Sequence, residues 1–252
     1  MLKKRLIPSL LLQNMRMVKG ENFSNYRDVG DPVSAAKIYN SQCVDELVFI
    51  DIDATKKDQK TNCNIIKKVS EVCHMPLTIG GGIKSISDIS ALLNSGADKV
   101  LINSEIYNRP SFLKQAVKKF GSSCIVAGID VKVSNNTYQV YKNLGSQKVA
   151  INILDHLEFL EREGAGEVYI NNITNDGLMK GYNLDLIKFV LKNTSIPVIA
   201  CGGAGNFAHV LDAFTQTEIG ALAMSSIFHF GDNNPIRLRS YLKNNKIPIK
   251  RI

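Results

Sequence analysis

The sequence predicts an α/β fold, a single (βα)8 TIM barrel built from two repeated half-barrels. Predicted strands and helices alternate eight times, which is typical of parallel β/α folds. Two apolar strands that begin at a proline and end in consecutive glycines start at Pro76 and Pro197, 121 residues apart (197 − 76) in a chain of 252. Two four-strand halves that close on each other leave no free sheet edge. We therefore expect one domain, with half-barrels over residues 1–122 and 123–252.

The apolar runs place the eight strands along the chain. We predict them at residues 6–12, 46–52, 77–79, 99–103, 125–131, 167–171, 198–200 and 221–224. Helices with an apolar period near 3.6 follow the strands; those of the first half begin near Pro32, Ser85 and Pro110. The segment 13–31 is polar and carries no predicted strand. In such barrels the carboxyl ends of the strands carry the chemistry, and the opposite ends serve stability.

Composition excludes several classes of protein. The formal net charge is +8, but the lysines lie singly, without a basic tract or stacked aromatics, so we predict a solvated basic surface and no nucleic-acid partner. The first apolar run is short and contains Pro8, and no run reaches the roughly 18 residues of a membrane span. Five cysteines in no metal-like spacing predict a reducing, cytoplasmic location. The sequence indicates no metal and no cofactor.

Two glycine-rich strand ends predict phosphate sites. Glycines let backbone N–H groups approach a phosphate, and a helix N-terminus with a hydroxyl completes the site. The first cradle consists of Gly80, Gly81, Gly82, Asn103 and Ser104, and the second of Gly202, Gly203, Ser225 and Ser226. Asp176-Gly177 could add donors to the second cradle. The two cradles fit a substrate with a phosphate at each end, or one functional site and one that has lost its function. The alternative is tight strand-to-helix packing without a ligand.

Two carboxylates follow predicted strands. Asp51 ends strand two and Asp130 ends strand five, and we expect both to point toward the catalytic mouth as general acid or base candidates. The alternative for each is a carboxylate that only caps the next loop. Aligning the two halves puts Leu11 opposite Asp130, so the first half carries an aliphatic residue where a symmetric acid could stand.

Four charged residues begin strands at the other end of the barrel. These are Arg5, Glu46, Lys99 and Glu167. Two positive and two negative charges can close into a neutral ring, and buried charges are tolerated when they are paired in this way. The ring is either a stabilising salt-bridge plug, which the physics favours, or a gate for a small molecule that enters along the barrel axis.

The motifs together resemble a known family. They are Lys4-Arg5-Leu-Ile-Pro, Val18-Lys-Gly20, Asn22-Phe, Gly30-Asp-Pro32, Asp45-Glu-Leu-Val-Phe49, Gly80-Gly-Gly-Ile83, Gly96-Ala-Asp-Lys99, Gly164-Ala-Gly-Glu167, Asp176-Gly177, Gly181-Tyr182 and Gly202-Gly-Ala-Gly205. This set is similar, over essentially the whole chain, to the HisF-type cyclase subunit of imidazole glycerol phosphate synthase, a lyase of histidine biosynthesis. The resemblance implies a HisH-type glutaminase partner at the N-terminal face of the barrel. It also implies that ammonia passes through the barrel axis to a phosphorylated small-molecule substrate.

The resemblance assigns roles to particular residues. It makes the four-residue ring the ammonia gate, which reverses the preference for a plug, and it puts Asp98 at the partner interface. Lys19 in the first loop is kept, and we expect Lys19 and Asp51 to bind the substrate. The family uses two catalytic aspartates at the ends of strands one and five; Asp130 matches the second, whereas Leu11 occupies the first. Asn171 and Thr174 also differ from the pattern expected around strand six.

The strand-one segment Pro8-Ser-Leu-Leu-Leu-Gln13 resembles divergent paralogues from surface-polysaccharide (amidino-sugar, lipopolysaccharide) gene clusters. Those paralogues work with a glutaminase to supply ammonia to a sugar-modifying amidotransferase. We therefore expect a synthase subunit that delivers ammonia toward a phosphorylated or sugar-nucleotide acceptor in amidino-sugar or O-antigen biosynthesis. Two alternatives stand beside it: a genuine cyclase subunit of histidine biosynthesis, and a non-catalytic scaffold that activates the glutaminase.

Overall fold

A computed structural model describes residues 2–135 and 137–250. The strands are β1 (Arg5–Gln13), β2 (Arg16–Glu21), β3 (Ser24–Gly30), β4 (Leu47–Asp51), β5 (Leu77–Gly80), β6 (Lys99–Ile102), β7 (Ile125–Ser134), β8 (Thr137–Lys142), β9 (Gln147–Lys148), β10 (Glu167–Asn172), β11 (Val198–Cys201) and β12 (Ala221–Met224). The α-helices are α1 (Pro32–Ser41), α2 (Ile52–Lys56), α3 (Cys63–Ser70), α4 (Ile86–Asn94), α5 (Ser104–Asn108), α6 (Ser111–Phe120), α7 (Ile153–Arg162), α8 (Leu184–Lys192), α9 (Phe207–Gln216), α10 (Ser226–His229) and α11 (Pro235–Asn244). A 3-10 turn (Ser122–Cys124) precedes β7.

Eight of these strands close into a parallel barrel. Their order is β1, β4, β5, β6, β7, β10, β11 and β12, and β12 pairs again with β1. Apolar helical faces such as Ile66 and Val69 of α3 pack against the outside of the sheet in one continuous core. The predicted single (βα)8 barrel is confirmed.

The barrel interior is a second, smaller core. Side chains alternate between the two faces of a strand, so every second residue points to the axis. Ile7, Val48, Val126 and Ile199 meet there and are almost fully buried. This alternation decides which polar residues face the axis, and therefore which can act on a ligand inside the barrel.

Two antiparallel hairpins extend the barrel beyond the predicted strands. The polar segment 13–31 forms β2 and β3, with β2 paired to β1, and β8 and β9 continue from β7 in the same way. Asn22, between β2 and β3, donates from its side chain to the carbonyl oxygens of Ile173 and Thr174 at 2.9 Å each. These hairpins escape a pattern-based prediction because much of their surface is exposed, which weakens the apolar alternation that marks a strand.

In the described part of the chain, no helix combines the length and apolarity needed to cross a membrane.

Candidate active site at the C-terminal end of the barrel

A cavity of about 660 Å³ opens at the carboxyl ends of the barrel strands. Its walls carry polar residues from six strand ends or loops and apolar side chains between them. The polar lining includes Lys19, Asn103, Asp130, Asn171, Asp176 and Ser225. Leu11, Ile50 and Leu101 provide apolar wall, and Phe23 and Tyr26 of the β2–β3 hairpin close one side. Concave sites with an apolar lining and a few converging polar groups are typical of small-molecule pockets.

Asp130 is the one acid from the inner face of a barrel strand among the described residues that line this cavity. Its Oδ2 accepts a hydrogen bond from the Asn103 amide at 2.8 Å. The pKa of Asp130 is raised to about 7: burial is the main cause, the hydrogen bond from Asn103 opposes it, and the charge of Asp176 adds to the rise. A carboxyl group that titrates near neutral pH can both donate and accept a proton during a reaction, as a general acid–base residue requires.

The neighbours of Asp130 are an amide and an aliphatic residue. Asn171 of β10 pairs in register with Asp130 of β7, and its buried side-chain oxygen has no hydrogen-bond partner within the protein. Leu11 of β1 lines the same cavity. A second acid is therefore missing from the β1 wall, and the available polar groups beside Asp130 are carboxamides.

Lys19 and Asp176 form a buried ion pair at the side of the cavity. The Lys19 ammonium donates to both carboxylate oxygens of Asp176 at 2.8 Å, and both side chains are less than a tenth exposed. The pair ties the β2–β3 hairpin to the loop after β10. Gly177 next to it approaches Gly20 so closely that an added Cβ would lie 2.1 Å from the Gly20 carbonyl oxygen.

The first predicted phosphate cradle opens into the cavity. Gly81, Gly82, Asn103 and Ser104 all line it, and Gly81 has a φ of +105°. A Cβ at Gly81 would meet the Asp51 carbonyl oxygen at 2.1 Å, so the protein itself requires this glycine. The glycine pattern alone therefore does not distinguish ligand binding from tight packing, but the open cavity beside it leaves room for an anion.

The second predicted cradle is covered. Gly202, Gly203, Ser225 and Ser226 are buried, and of these only Ser225 lines the cavity. The Ser225 hydroxyl has no hydrogen-bond partner within the protein, and it precedes α10, a helix that begins without a side-chain cap. Both cradles remain predicted binding sites, and the structure separates them into an open one and a covered one.

Asp51 faces away from the axis. Ile50 and Ile52 on either side of it line the cavity, whereas the Asp51 carboxylate accepts from the Ala54 N–H at 3.0 Å as the N-cap of α2. The expectation that Asp51 points to the catalytic mouth is wrong, because the alternation along β4 turns it toward the helix layer. Burial raises its pKa, and hydrogen bonds from backbone N–H groups oppose that shift.

The four charges at the opposite end of the barrel close into a ring. Arg5 contacts Glu46 at 3.0 Å and Glu167 at 2.6 Å. Lys99 contacts Glu46 at 3.2 Å and Glu167 at 2.7 Å. The Thr78 hydroxyl donates to the second oxygen of Glu46 at 2.7 Å. Each carboxylate of the ring contacts both cations, so the four charges are paired and sum to zero. Asp98 lies nearby on the exposed surface, where its Oδ2 accepts from the Leu77 N–H at 2.8 Å.

Ser9, Tyr169 and Cys201 also line the cavity from inside the barrel, and the sequence motifs do not include them. The Ser9 and Tyr169 hydroxyls form a hydrogen bond of 2.9 Å, and burial raises the pKa of the Cys201 thiol to about 12. Counting by two from Arg5 and Glu167 along their strands would have found Ser9 and Tyr169. Along β1 the inward residues are, in order, Arg5 of the ring, Ile7, Ser9 and the cavity-lining Leu11. The inward apolar side chains that follow the ring, among them Ile7, Val48 and Val126, are called the apolar level.

The chain is a TIM barrel with a charged ring at one mouth and a cavity that contains Asp130 at the other. It therefore belongs to the class of barrels whose reaction site lies at the C-terminal mouth. Residues 5–234 match the family described as "Histidine biosynthesis protein", and the chain belongs to this family. It is 42% identical over 251 residues to imidazole glycerol phosphate synthase subunit HisF of Hydrogenobaculum sp. (strain Y04AAS1), covering 99% of this chain and 100% of that protein. The HisF subunit of Trichormus variabilis is 39% identical over 254 residues, 99% of each chain. The HisF-type identity expected from the motifs is confirmed.

Proposed function

We propose that this chain is the synthase subunit of a glutamine amidotransferase complex. It receives ammonia from a HisH-type glutaminase at the N-terminal face and passes it along the barrel axis to the cavity. The observation that carries this proposal is the closed ring of Arg5, Glu46, Lys99 and Glu167 on the same axis as the Asp130 cavity.

The apolar level between ring and cavity supports passage of ammonia in its neutral form. Ile7, Val48 and Val126 surround the axis there and are at most 1% exposed. Moving an ion through such a level costs far more than moving a neutral molecule. We expect Lys99 or Arg5 to release one carboxylate when ammonia passes, since each cation can keep its bond to the other.

Within the cavity we assign Asp130 to proton transfer and Asn103 to positioning its carboxyl group. Gly81, Gly82 and Ser104 are proposed to bind a phosphate group of the acceptor, and Ser225 with Ser226 a second one. Lys19 and Asp176 hold the hairpin that covers this end. We leave Asp51 out of the substrate site, because its carboxylate caps α2.

Leu11 supports an acceptor other than the histidine-pathway substrate. A cyclisation that needs an acid on both sides of the barrel lacks one here, which favours ammonia delivery toward a phosphorylated or sugar-nucleotide acceptor in amidino-sugar biosynthesis. The identity of about 40% to HisF subunits over the whole chain favours the other candidate, a genuine imidazole glycerol phosphate synthase cyclase subunit.

One experiment separates the two candidates. The purified chain is mixed with the HisH-type glutaminase of its own organism, and glutamine hydrolysis and conversion of the imidazole glycerol phosphate synthase substrate are measured together. We expect the chain to stimulate hydrolysis but to turn over that substrate poorly, with Leu11→Asp improving turnover. Wild-type turnover equal to that of a HisF relative, or complementation of a histidine auxotroph lacking HisF, would establish the histidine role instead.

The proposed docking face has its own test. Asp98→Asn removes the charge but keeps an oxygen for the Leu77 N–H, so the barrel should fold while affinity for the glutaminase falls. Asp212→Asn, an exposed carboxylate on α9, is the matched control. Unchanged affinity for Asp98→Asn would remove Asp98 from the interface.

A further inference from the structure

The hydrogen bond between Ser9 and Tyr169 crosses the inside of the barrel. Ser9 belongs to β1 and Tyr169 to β10, and two strands, β11 and β12, separate them on the shorter way round. Four strands, β4 to β7, separate them on the other way. The two strands therefore lie on nearly opposite walls, and a bond of 2.9 Å between their side chains has to span the interior.

This bond lies at the floor of the cavity. Both residues line the cavity but are almost closed off from it, with Tyr169 2% and Ser9 5% exposed. On the other side of them lies the apolar level that contains Val126 and Ile199. Gly128, the register partner of Tyr169 on β7, has no side chain to compete with the phenol ring for the interior.

The chemistry of the Ser9–Tyr169 pair suits the binding of a neutral molecule. Burial raises the pKa of Tyr169 well above its usual value, so the phenol keeps its proton and carries no charge. Two hydroxyl groups offer one another a donor and an acceptor, and both can make the same bonds to an ammonia molecule placed between them. Neither hydroxyl compensates the charge of an ammonium ion.

We propose that Ser9 and Tyr169 form a second gate on the barrel axis, which ammonia opens by exchanging their mutual hydrogen bond for bonds to itself. The inference rests on the proposed function, since it takes ammonia to enter through the charged ring. The hydroxyl pair then separates the apolar level from the reaction cavity. It keeps bulk water of the cavity out of the axis while no ammonia is passing.

The test is an NMR titration of the full chain labelled with [13Cζ]tyrosine. Tyr169→Phe identifies the Tyr169 signal, and the signal of Tyr39, which is buried outside the barrel sheet, is the internal control. Ammonium chloride is added at pH 9, where a large share is neutral ammonia. Sodium chloride at equal ionic strength and trimethylamine hydrochloride at equal pH are the comparison titrants.

We expect ammonia to shift the Tyr169 signal in a saturable way and to leave Tyr39 in place. Ser9→Ala should move the Tyr169 signal before any titrant is added, because the phenol loses its partner. A Tyr169 signal that does not respond to ammonia, or responds equally to trimethylamine, would overturn the gate.

Failure of the proposed function gives a different result. In the complex with the glutaminase, glutamine should shift the Tyr169 signal before ammonia accumulates in bulk solution. A signal that responds to ammonium chloride but not to glutamine would refute delivery through the axis and leave ammonia binding at the pair intact. Glutamine-dependent amidation with an unresponsive Tyr169 would refute the gate alone.

Discussion

Replacing Asp130 by asparagine should stabilise the protein, and the gain should grow with pH. The folded protein holds the pKa of Asp130 at about 7, compared with an ordinary value of 3.8. Between these values the folded state binds more protons than the unfolded state, so the wild type loses stability as pH rises. A difference of about three pKa units corresponds to roughly 4 kcal/mol at pH above 7. Below pH 4 the carboxyl group is neutral in both states, and the difference disappears.

Asparagine has nearly the shape of aspartate and can still accept from Asn103, so Asp130→Asn removes the charge with little repacking. In urea unfolding from pH 4.5 to 8.5, the variant should have the larger free energy of unfolding. Its difference from the wild type should increase up to about pH 7 and stay constant above that pH. Asp212→Asn on the exposed face of α9 should show no such rise. A stability gain of Asp130→Asn that is equal at pH 5 and pH 8, or absent at pH 8, would refute the raised pKa of Asp130. The same variant should lose amidation activity in the glutaminase complex.

Three further substitutions test the ring, the helix cap and the missing acid. Glu46→Ala leaves Arg5 and Lys99 with one carboxylate fewer inside the barrel and should cost about 3 kcal/mol in urea unfolding, whereas Glu158→Ala on the surface should cost almost nothing. Asp51→Ala should lower the free energy of unfolding by about 1 kcal/mol and Asp51→Asn by much less, because asparagine also caps helices. If Asp51→Asn loses ligand binding without losing stability, Asp51 belongs to the substrate site after all. Leu11→Asp should raise the pKa of Asp130 further, because a second carboxylate would face the same cavity. A pH titration of Asp130 by NMR that shows no rise would contradict the proximity of residues 11 and 130.

Asp51 and Asp130 show how much of the site a strand pattern can predict. The sequence places both Asp51 and Asp130 at strand ends, but it does not fix the strand register within the barrel. Asp130 falls on an inward position of β7 and Asp51 on an outward position of β4, one residue after the cavity-lining Ile50. Because adjacent residues of a strand face opposite sides, an error of one position changes a candidate catalytic acid into a helix cap.

The ring and the hydroxyl pair also show what a strand pattern can predict and what it cannot. The four charges could be predicted to meet because each begins a barrel strand and all strands begin at one mouth. For the hydroxyl pair the alternation places Ser9 and Tyr169 on the inner face of their strands, but both lie in apolar runs and nothing in the sequence marks them as partners. Only the closure of the barrel brings β1 and β10 face to face.

The sequence by itself determined the barrel, its internal repeat, the charged mouth and the acid at the end of strand five, because each depends on local alternation and on the order of elements along the chain. The tertiary structure decided the rest: which cradle is open, which aspartate faces the axis, and which side chains meet across it. These depend on register and on how the hairpins fold over the mouth, which are settled by packing between residues far apart in the chain.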